Sequence, residues 1–314
     1  MSVKAPRVLI TGGLGFLGRH IVKELLNRAF ELTILDLPGS PNALPQTGSK
    51  PCRIVWGNFA DTNVIREACE GQDVLLHLAW GSLPSTAQAD LPAEVQNNVA
   101  PSARLFEAAC KAGIGTIVFA SSGGTVYGDY RRPVTEMDLP LPMGGYGLAK
   151  LSTEHYLRLN CLKGSVRGIV LRFANPYGRE QDHASGIQGL LDVALSRARL
   201  GLPILVFGDG SVVRDFFHVE DLADSVRLVL EAQHAPGFYV YNVGSGAGCS
   251  IRDALAALER ATGRPLNLRF EPSRSFDVPY NVLDIRKIEQ ATQWKPRIDL
   301  ESGLRKVWQA RLAE

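Results

Sequence analysis

Arg7-Val8-Leu9-Ile10-Thr11-Gly12-Gly13-Leu14-Gly15-Phe16-Leu17-Gly18 decides the fold of this chain. Arg7–Thr11 is a short apolar run of strand type, and Phe16–Arg28 carries Leu17, Ile21 and Leu25 at helical spacing. Between them, Gly13, Gly15 and Gly18 satisfy G-x-G-x-x-G, while Gly12, Gly15 and Gly18 satisfy the wider G-x-x-G-x-x-G spacing. Glycines so placed permit a tight strand-to-helix turn, close approach of a pyrophosphate and close packing of the helix on the strand. The same rhythm continues outward. Leu32–Leu35, Arg53–Trp56, Val74–Leu78, Thr116–Ser121 and Val166–Phe173 read as strands, and Ala93–Ala112 and Tyr146–Leu162 as helices. Strands alternating with helices predict right-handed crossovers and a doubly wound α/β sheet covered on both faces.

Past Asn175 the pattern changes. Helices are predicted over Gly186–Leu200, Glu220–Ala232 and Ile251–Thr262. Short apolar runs occupy Pro203–Phe207, Asp215–Val219 and Gly237–Val243, and the tail contains Trp294-Lys295-Pro296. The expectation is a dinucleotide-binding domain over 1–175 and a smaller α+β substrate-binding domain over 176–314, with segments interleaved between them.

Two further features give the glycine turn a chemistry. Asp36 closes the second strand, where a carboxylate accepts hydrogen bonds from adenosine ribose hydroxyls and repels a 2′-phosphate. This predicts NAD rather than NADP. Tyr146-Gly147-Leu148-Ala149-Lys150 sets a phenol and an ammonium one helical turn apart on one face. A neighbouring cation favours the phenolate, which would make Tyr146 a general base for an alcohol.

Composition narrows the partners. Lys and Arg number 34 against 32 acids, a net charge of +2 that announces neither nucleic acid nor an acidic surface as partner. Five dispersed cysteines make neither a disulfide framework nor a zinc-ligand pattern, and the six histidines lack metal-ligand spacing, so no metal is expected. No apolar run approaches the ~18–20 residues of a membrane helix, and the N-terminus leads straight into a strand. A soluble, cytoplasmic protein is expected.

The Gly12/Gly15/Gly18 turn, Asp36, Ser121-Ser122-Gly123-Gly124-Thr125-Val126-Tyr127-Gly128 and Tyr146/Lys150 together resemble the extended short-chain dehydrogenase/reductase family. Leu171-Arg172-Phe173-Ala174-Asn175-Pro176-Tyr177-Gly178, Phe207-Gly208-Asp209-Gly210, the Arg214–Ala223 segment, Tyr241–Gly246 and Asp277-Val278-Pro279 resemble its nucleotide-sugar, UDP-glucose 4-epimerase-like branch. The resemblance implies a Rossmann-type sheet with bound NAD. It also implies a UDP-hexose or UDP-N-acetylhexosamine substrate inverted at C4 through a 4-keto intermediate, with Tyr146 as the base and Lys150 beside it. For the cofactor it implies contacts from Gly12, Gly15, Phe16, Leu17, Gly18 and Asp36, then Asn58, Phe59, Leu78, Ala79 and Asn98, and finally Phe173 and Pro176. For the substrate it implies Asn175, a diphosphate clamp of Arg214 and Arg274, and Asp277. Trp80–Leu83, Thr125 and Tyr280–Asn281 would line the sugar pocket, and a homodimer would form through the helices Ala93–Ala112 and Tyr146–Leu162.

Three departures from the family pattern matter. Gly123 stands where many epimerases have a catalytic Ser or Thr, which leaves Ser122 or Thr125 to supply the hydroxyl. Asn58 replaces the usual aspartate near the adenine. Gly123-Gly124-Thr125 replaces the Thr-Asp-Glu of the dehydratases and argues against water elimination. The alternatives are a nucleotide-linked 4-keto-6-deoxyhexose reductase and a non-catalytic NAD-binding scaffold.

Overall fold

Alternate side chains of a strand face opposite sides of its sheet, and β1 (Arg7–Thr11) sets the rule here. Val8 and Ile10 enter one apolar cluster and Leu9 another. The computed structural model describes residues 5–39, 52–162, 164, 166–178, 189–273 and 278–313. It carries that rule across a seven-stranded sheet. β2 (Glu31–Asp36), β3 (Arg53–Trp56), β4 (Val74–His77), β5 (Thr116–Ser122), β6 (Arg167–Phe173) and β7 (Gly237–Val243) complete it in the order β7-β6-β5-β4-β1-β2-β3. Every pairing is parallel.

One face is covered by α1 (Phe16–Leu26), through Ile21, Val22 and Leu25, and by a helix from the second half of the chain. The other is covered by α2 (Thr62–Cys69), α3 (Ala100–Lys111) and α4 (Gly145–Leu162). The second-half helix, α5 (Val219–Glu231), packs Leu222, Val226 and Val229 into the α1 cluster. This is the Rossmann-type doubly wound sheet. Strand order reverses between β1 and β4, so the loops leaving their C-terminal ends diverge around a crevice.

Residues 176–314 thus contribute β7 and α5 to the central layers and also form a smaller cluster of their own. Leu191, Ala194 and Leu195 meet Leu255 and Leu258 there, together with Leu304, Val307 and Trp308. A short parallel pair, Ile204–Phe207 with Leu268–Glu271, flanks it.

Several elements differ from the sequence expectation. The helix expected over 93–112 is one helical stretch that begins at Leu91 and contains a π turn, Val95–Val99, immediately before α3. Pro101, just beyond that turn, has no N–H to continue a regular ladder. α2 was not expected; Asp61 caps it by accepting the Asn63 and Val64 N–H groups. Helices Arg286–Thr292 and Leu300–Leu312 were likewise unanticipated. Of the helix expected from Gly186, Leu190–Leu200 is observed, and its expected first residues lie outside the described residues.

Candidate active site

The glycine turn is built for backbone approach. Gly12 has φ +72°, and a Cβ there would lie 2.8 Å from the Ala79 nitrogen at the end of β4. A Cβ on Gly18 would strike the Gly12 carbonyl, and one on Gly13 would press on Ile34. Gly15 differs. It is exposed and caps α1 without a side chain, at φ −71°, and its missing Cβ leaves bare backbone before the first-turn N–H groups, which have no partner within the helix itself. Phe16 packs edge-on to His20, and Leu17 against the α1 cluster. Asp36 accepts the Leu14 N–H and the Leu37 N–H, each at 2.8 Å, which holds its carboxylate at the end of β2 beside the glycine turn. These features fit a dinucleotide diphosphate with an adenosine ribose beside it.

Around this turn stand the other expected cofactor residues. The Asn58 amide oxygen accepts the Ala60 N–H at 2.9 Å, and the Phe59 ring lies 5.2 Å from that of His77. Leu78 is half-buried on the core, and the Ala79 N–H reaches the Thr11 hydroxyl at 3.4 Å. Asn98, on the π turn, accepts the Gly81 N–H at 2.7 Å. Phe173 stacks on Phe217, and Pro176 lies in the strand Asn175–Tyr177 beside Phe216–His218. His77 is fully buried between the Thr11 and Ser102 hydroxyls, and burial pushes its pKa down to about 3. It is a core histidine. Among the described residues no three His, Cys, Asp or Glu side chains could hold a metal ion, and no helix is long and apolar enough to cross a membrane.

α4 opens one residue before Tyr146, and Lys150 follows one turn on. The start of α4 approaches the preceding turn so closely that a Cβ on Gly147 would collide with the Thr125 carbonyl. The buried Lys150 ammonium donates to the Ala120 carbonyl at 2.8 Å and sits 3.7 Å from the Trp80 ring centroid. It lies 5.6 Å from the Tyr146 ring centroid. Burial lowers Lys150 to about 7, against the opposing pull of Glu94 and Glu154. Tyr146 is raised, first by burial and then by Glu94. This corrects the expected lowering of the phenol: the ammonium bonds to a carbonyl beneath an indole rather than to the phenol. Behind the pair, Glu154 accepts from Ser121 at 2.5 Å and from Arg172 at 2.6 Å, a buried ion pair linking α4 to β6.

At Gly123 the structure shows why no side chain stands there. A Cβ would come within 2.5 Å of a Leu283 methyl and 3.1 Å of the Arg172 carbonyl. The Thr125 hydroxyl is buried without a partner, and Ser122 closes β5. Beside them Gly124 is surrounded by polar side-chain atoms. A Cβ there would have Asn175 Oδ1 and Ser122 Oγ at 3.8 Å and Asn281 Oδ1 at 4.0 Å. Asn175 and Asn281 each spend their amide N–H on a backbone carbonyl, of Asp215 and Gly123 respectively. Both amide oxygens therefore face Gly124.

Arg214 donates to the Val278 carbonyl at 2.6 Å. The acids near it in sequence are engaged elsewhere, Glu220 by Lys306 and Asp221 by the Arg297 and Ile298 N–H groups. Arg274 and Asp277 lie outside the described residues. The residue the sequence reading missed is Glu94. It is buried, accepts the Trp80 indole N–H at 2.9 Å and acts on both Tyr146 and Lys150. Its only sequence signal is an acid one turn before Asn98.

A glycine-turn dinucleotide site at the sheet's switch point, joined through Ala79 and Trp80 to a Tyr–Lys helix, defines a nicotinamide-dependent short-chain oxidoreductase scaffold. Within that class the sequence matches the NAD dependent epimerase/dehydratase family over residues 8–244, and the chain belongs to that family, with NAD as its cofactor. It is 28% identical to the dTDP-4-dehydro-6-deoxyglucose reductase of Escherichia coli, over 98% of each chain. It is 30% identical to the UDP-glucose 4-epimerase of Azospirillum brasilense, over 96% of this chain and 91% of the relative. In structure it resembles the UDP-glucose 4-epimerase of Thermotoga maritima, solved with UDP-glucose. That match has a TM-score of 0.89 at 27% identity and covers 98% of this chain and 100% of the other.

Proposed function

We propose that this protein inverts C4 of a nucleotide-activated sugar, a UDP-hexose or UDP-N-acetylhexosamine, by oxidation to a 4-keto sugar and reduction from the opposite face. The observation that carries the reading is the Tyr146–Lys150 turn held against the Ala120 carbonyl and Trp80, next to the Gly12–Ala79 contact of the dinucleotide turn. Held by the Gly12–Gly18 turn and Asp36, NAD would supply the acceptor for the C4 hydride and the donor for its return.

The chain's own residues do the rest. Tyr146 takes the proton of the 4-hydroxyl and gives it back, with Lys150 as its cationic neighbour. Ser122, whose hydroxyl lies beside Gly124, or the buried and unpartnered hydroxyl of Thr125 supplies the one absent at Gly123. Gly12, Gly15 and Gly18 admit the cofactor diphosphate and Asp36 the adenosine ribose. Phe16, Leu17, Asn58, Phe59, Leu78, Ala79, Asn98, Phe173 and Pro176 wall the cofactor. Arg214 and Arg274 clamp the substrate diphosphate, with Asn175 and Asp277 at the sugar and nucleotide. We place the protein in the cytoplasm as a homodimer. In the single chain Leu148, Leu159 and Leu162 of α4 are exposed, which suits a helix-to-helix contact between subunits.

Incubating the holoenzyme with UDP-glucose, UDP-galactose and their N-acetyl counterparts, and analysing sugar composition, tests the reading. One pair is expected to interconvert without net NADH change, and Tyr146→Phe is expected to abolish the exchange. The E. coli relative favours a second reading, reduction of a nucleotide-linked 4-keto-6-deoxyhexose. Stoichiometric oxidation of NADH or NADPH by such a sugar, without epimer exchange, would decide for it.

A further inference from the structure

We infer that Trp80, anchored by Glu94, is a positioning residue that holds the Tyr146–Lys150 pair in register; the inference rests on the acid–base reading of that pair. A buried ammonium needs compensation. Lys150 finds it in the Ala120 carbonyl at 2.8 Å and in two aromatic faces, Trp80 with its centroid at 3.7 Å and Phe119 at 4.9 Å. Indole is the strongest of the aromatic faces for a cation. Of the carboxylates that act on Lys150, Glu154 is spent on Arg172 and Ser121. Glu94 acts on the ammonium by its charge and also holds the indole on which the ammonium rests.

The indole is fixed from two sides. Its N–H donates to Glu94 at 2.9 Å, and its ring meets Tyr146 edge-on, with centroids 6.1 Å apart at 71°. The segment carrying Trp80 is tied to the same helical stretch a second time, since Asn98 holds the Gly81 N–H four residues beyond Glu94. A displacement of this stretch would therefore move the surface that the ammonium rests on and the edge that the phenol packs against.

The charge of Glu94 gives the arrangement a measurable signature. The titratable groups facing Lys150 are Glu94, Tyr146 and Glu154 of its own helix, and His77 of β4, which burial keeps neutral; Arg172 of β6 is paired with Glu154. Removing the negative charge of Glu94 lets both phenol and ammonium release their protons at lower pH.

The test is the pH dependence of kcat/KM for C4 exchange by the holoenzyme. Glu94→Gln keeps an acceptor for the indole without the charge, and both limbs of the profile should move to lower pH by roughly half a unit. Trp80→Leu removes the aromatic face and should lower kcat about tenfold with KM for the nucleotide sugar within about twofold. Trp80→Phe, which restores a face without the N–H, should recover part of that loss and carries the test if Glu94→Gln does not fold. A Glu94→Gln profile superimposable on wild type, or wild-type kcat in Trp80→Leu, overturns the inference. Wild-type turnover in Tyr146→Phe would instead overturn the acid–base reading beneath it.

Discussion

Two glycines in one turn should fail in different ways when each is given a methyl group. Gly12 sits at φ +72°, where an L-residue costs about 1–2 kcal/mol. Its Cβ would also lie 2.8 Å from the nitrogen and 2.9 Å from the Cα of Ala79, backbone that cannot swing aside. Overpacking of that kind costs about 1–3 kcal/mol, so Gly12→Ala should lose about 2–5 kcal/mol of stability. Gly15 lies at φ −71° and ψ 179°, a backbone conformation any residue adopts, and among the described residues beyond its chain neighbours its Cβ would meet only the Gly12 carbonyl oxygen, at a tight 3.3 Å. There the weaker helix capping by Ala opposes the entropy gained by stiffening the unfolded chain, and stability should change by less than about 1 kcal/mol. The added methyl group stands where the cofactor diphosphate would approach, and NAD affinity should fall about tenfold or more. Urea unfolding of NAD-stripped protein and calorimetric NAD titration measure the two effects separately. Wild-type NAD affinity in Gly15→Ala, or wild-type stability in Gly12→Ala, would refute this account of the turn.

Two other outcomes follow from burial. Burial is the chief cause that holds His20 and His77 at about 3 and His218 at about 4, so between those values and 6.5 the unfolded chain binds protons that the folded chain does not. Their contribution to stability is complete above pH 6.5 and is lost as pH falls toward 4 and 3, by at most about 1.4 kcal/mol per unit for each imidazole. The urea midpoint should therefore be lower at pH 5 than at pH 7, and equal midpoints would contradict the burial. Gly123→Ser should destabilise by about 1–3 kcal/mol because its Cβ meets Leu283 and the Arg172 carbonyl. Adding Leu283→Val should cost less than the sum of the single changes, and strict additivity would show that Leu283 is not the obstruction.

The central sheet was legible because buried parallel strands read as uninterrupted apolar runs. Val8–Ile10 and Ile117–Ala120 are such runs, and Arg53–Trp56 occupies the limits expected of it. Gly237–Val243, expected in the smaller α+β region, instead joins the central sheet as its β7 edge. α2 escaped because it is only eight residues long, although its buried Ile65, Ala68 and Cys69 stand at helical spacing and Asp61 caps it. The π turn depends on how a helix meets Pro101 and on the tie from Asn98 to Gly81, neither of which has a periodic signature. At the site, residue types and spacing marked Tyr146, Lys150 and the glycine turn, but not the direction in which the phenol is shifted. That direction comes from burial and from Glu94, an acid that reads as surface until Trp80 is seen to cover it. The polar surroundings of Gly124 depend on Asn281, which meets Gly123 across 158 residues of chain.

β7 and α5 come from the second half of the chain, yet β7 closes the sheet against β6 and α5 covers α1, with Arg227 reaching Glu24 at 3.0 Å. A nascent chain leaving the ribosome thus carries its dinucleotide turn early but cannot close the layers that support it until Val243 has emerged. Until then the β6 edge lacks its neighbour, and Ile21, Val22 and Leu25 lack the helix that shields them. The cofactor site is a late product of synthesis, and cutting the chain after Asn175 would yield an aggregation-prone fragment rather than an autonomous NAD-binding unit.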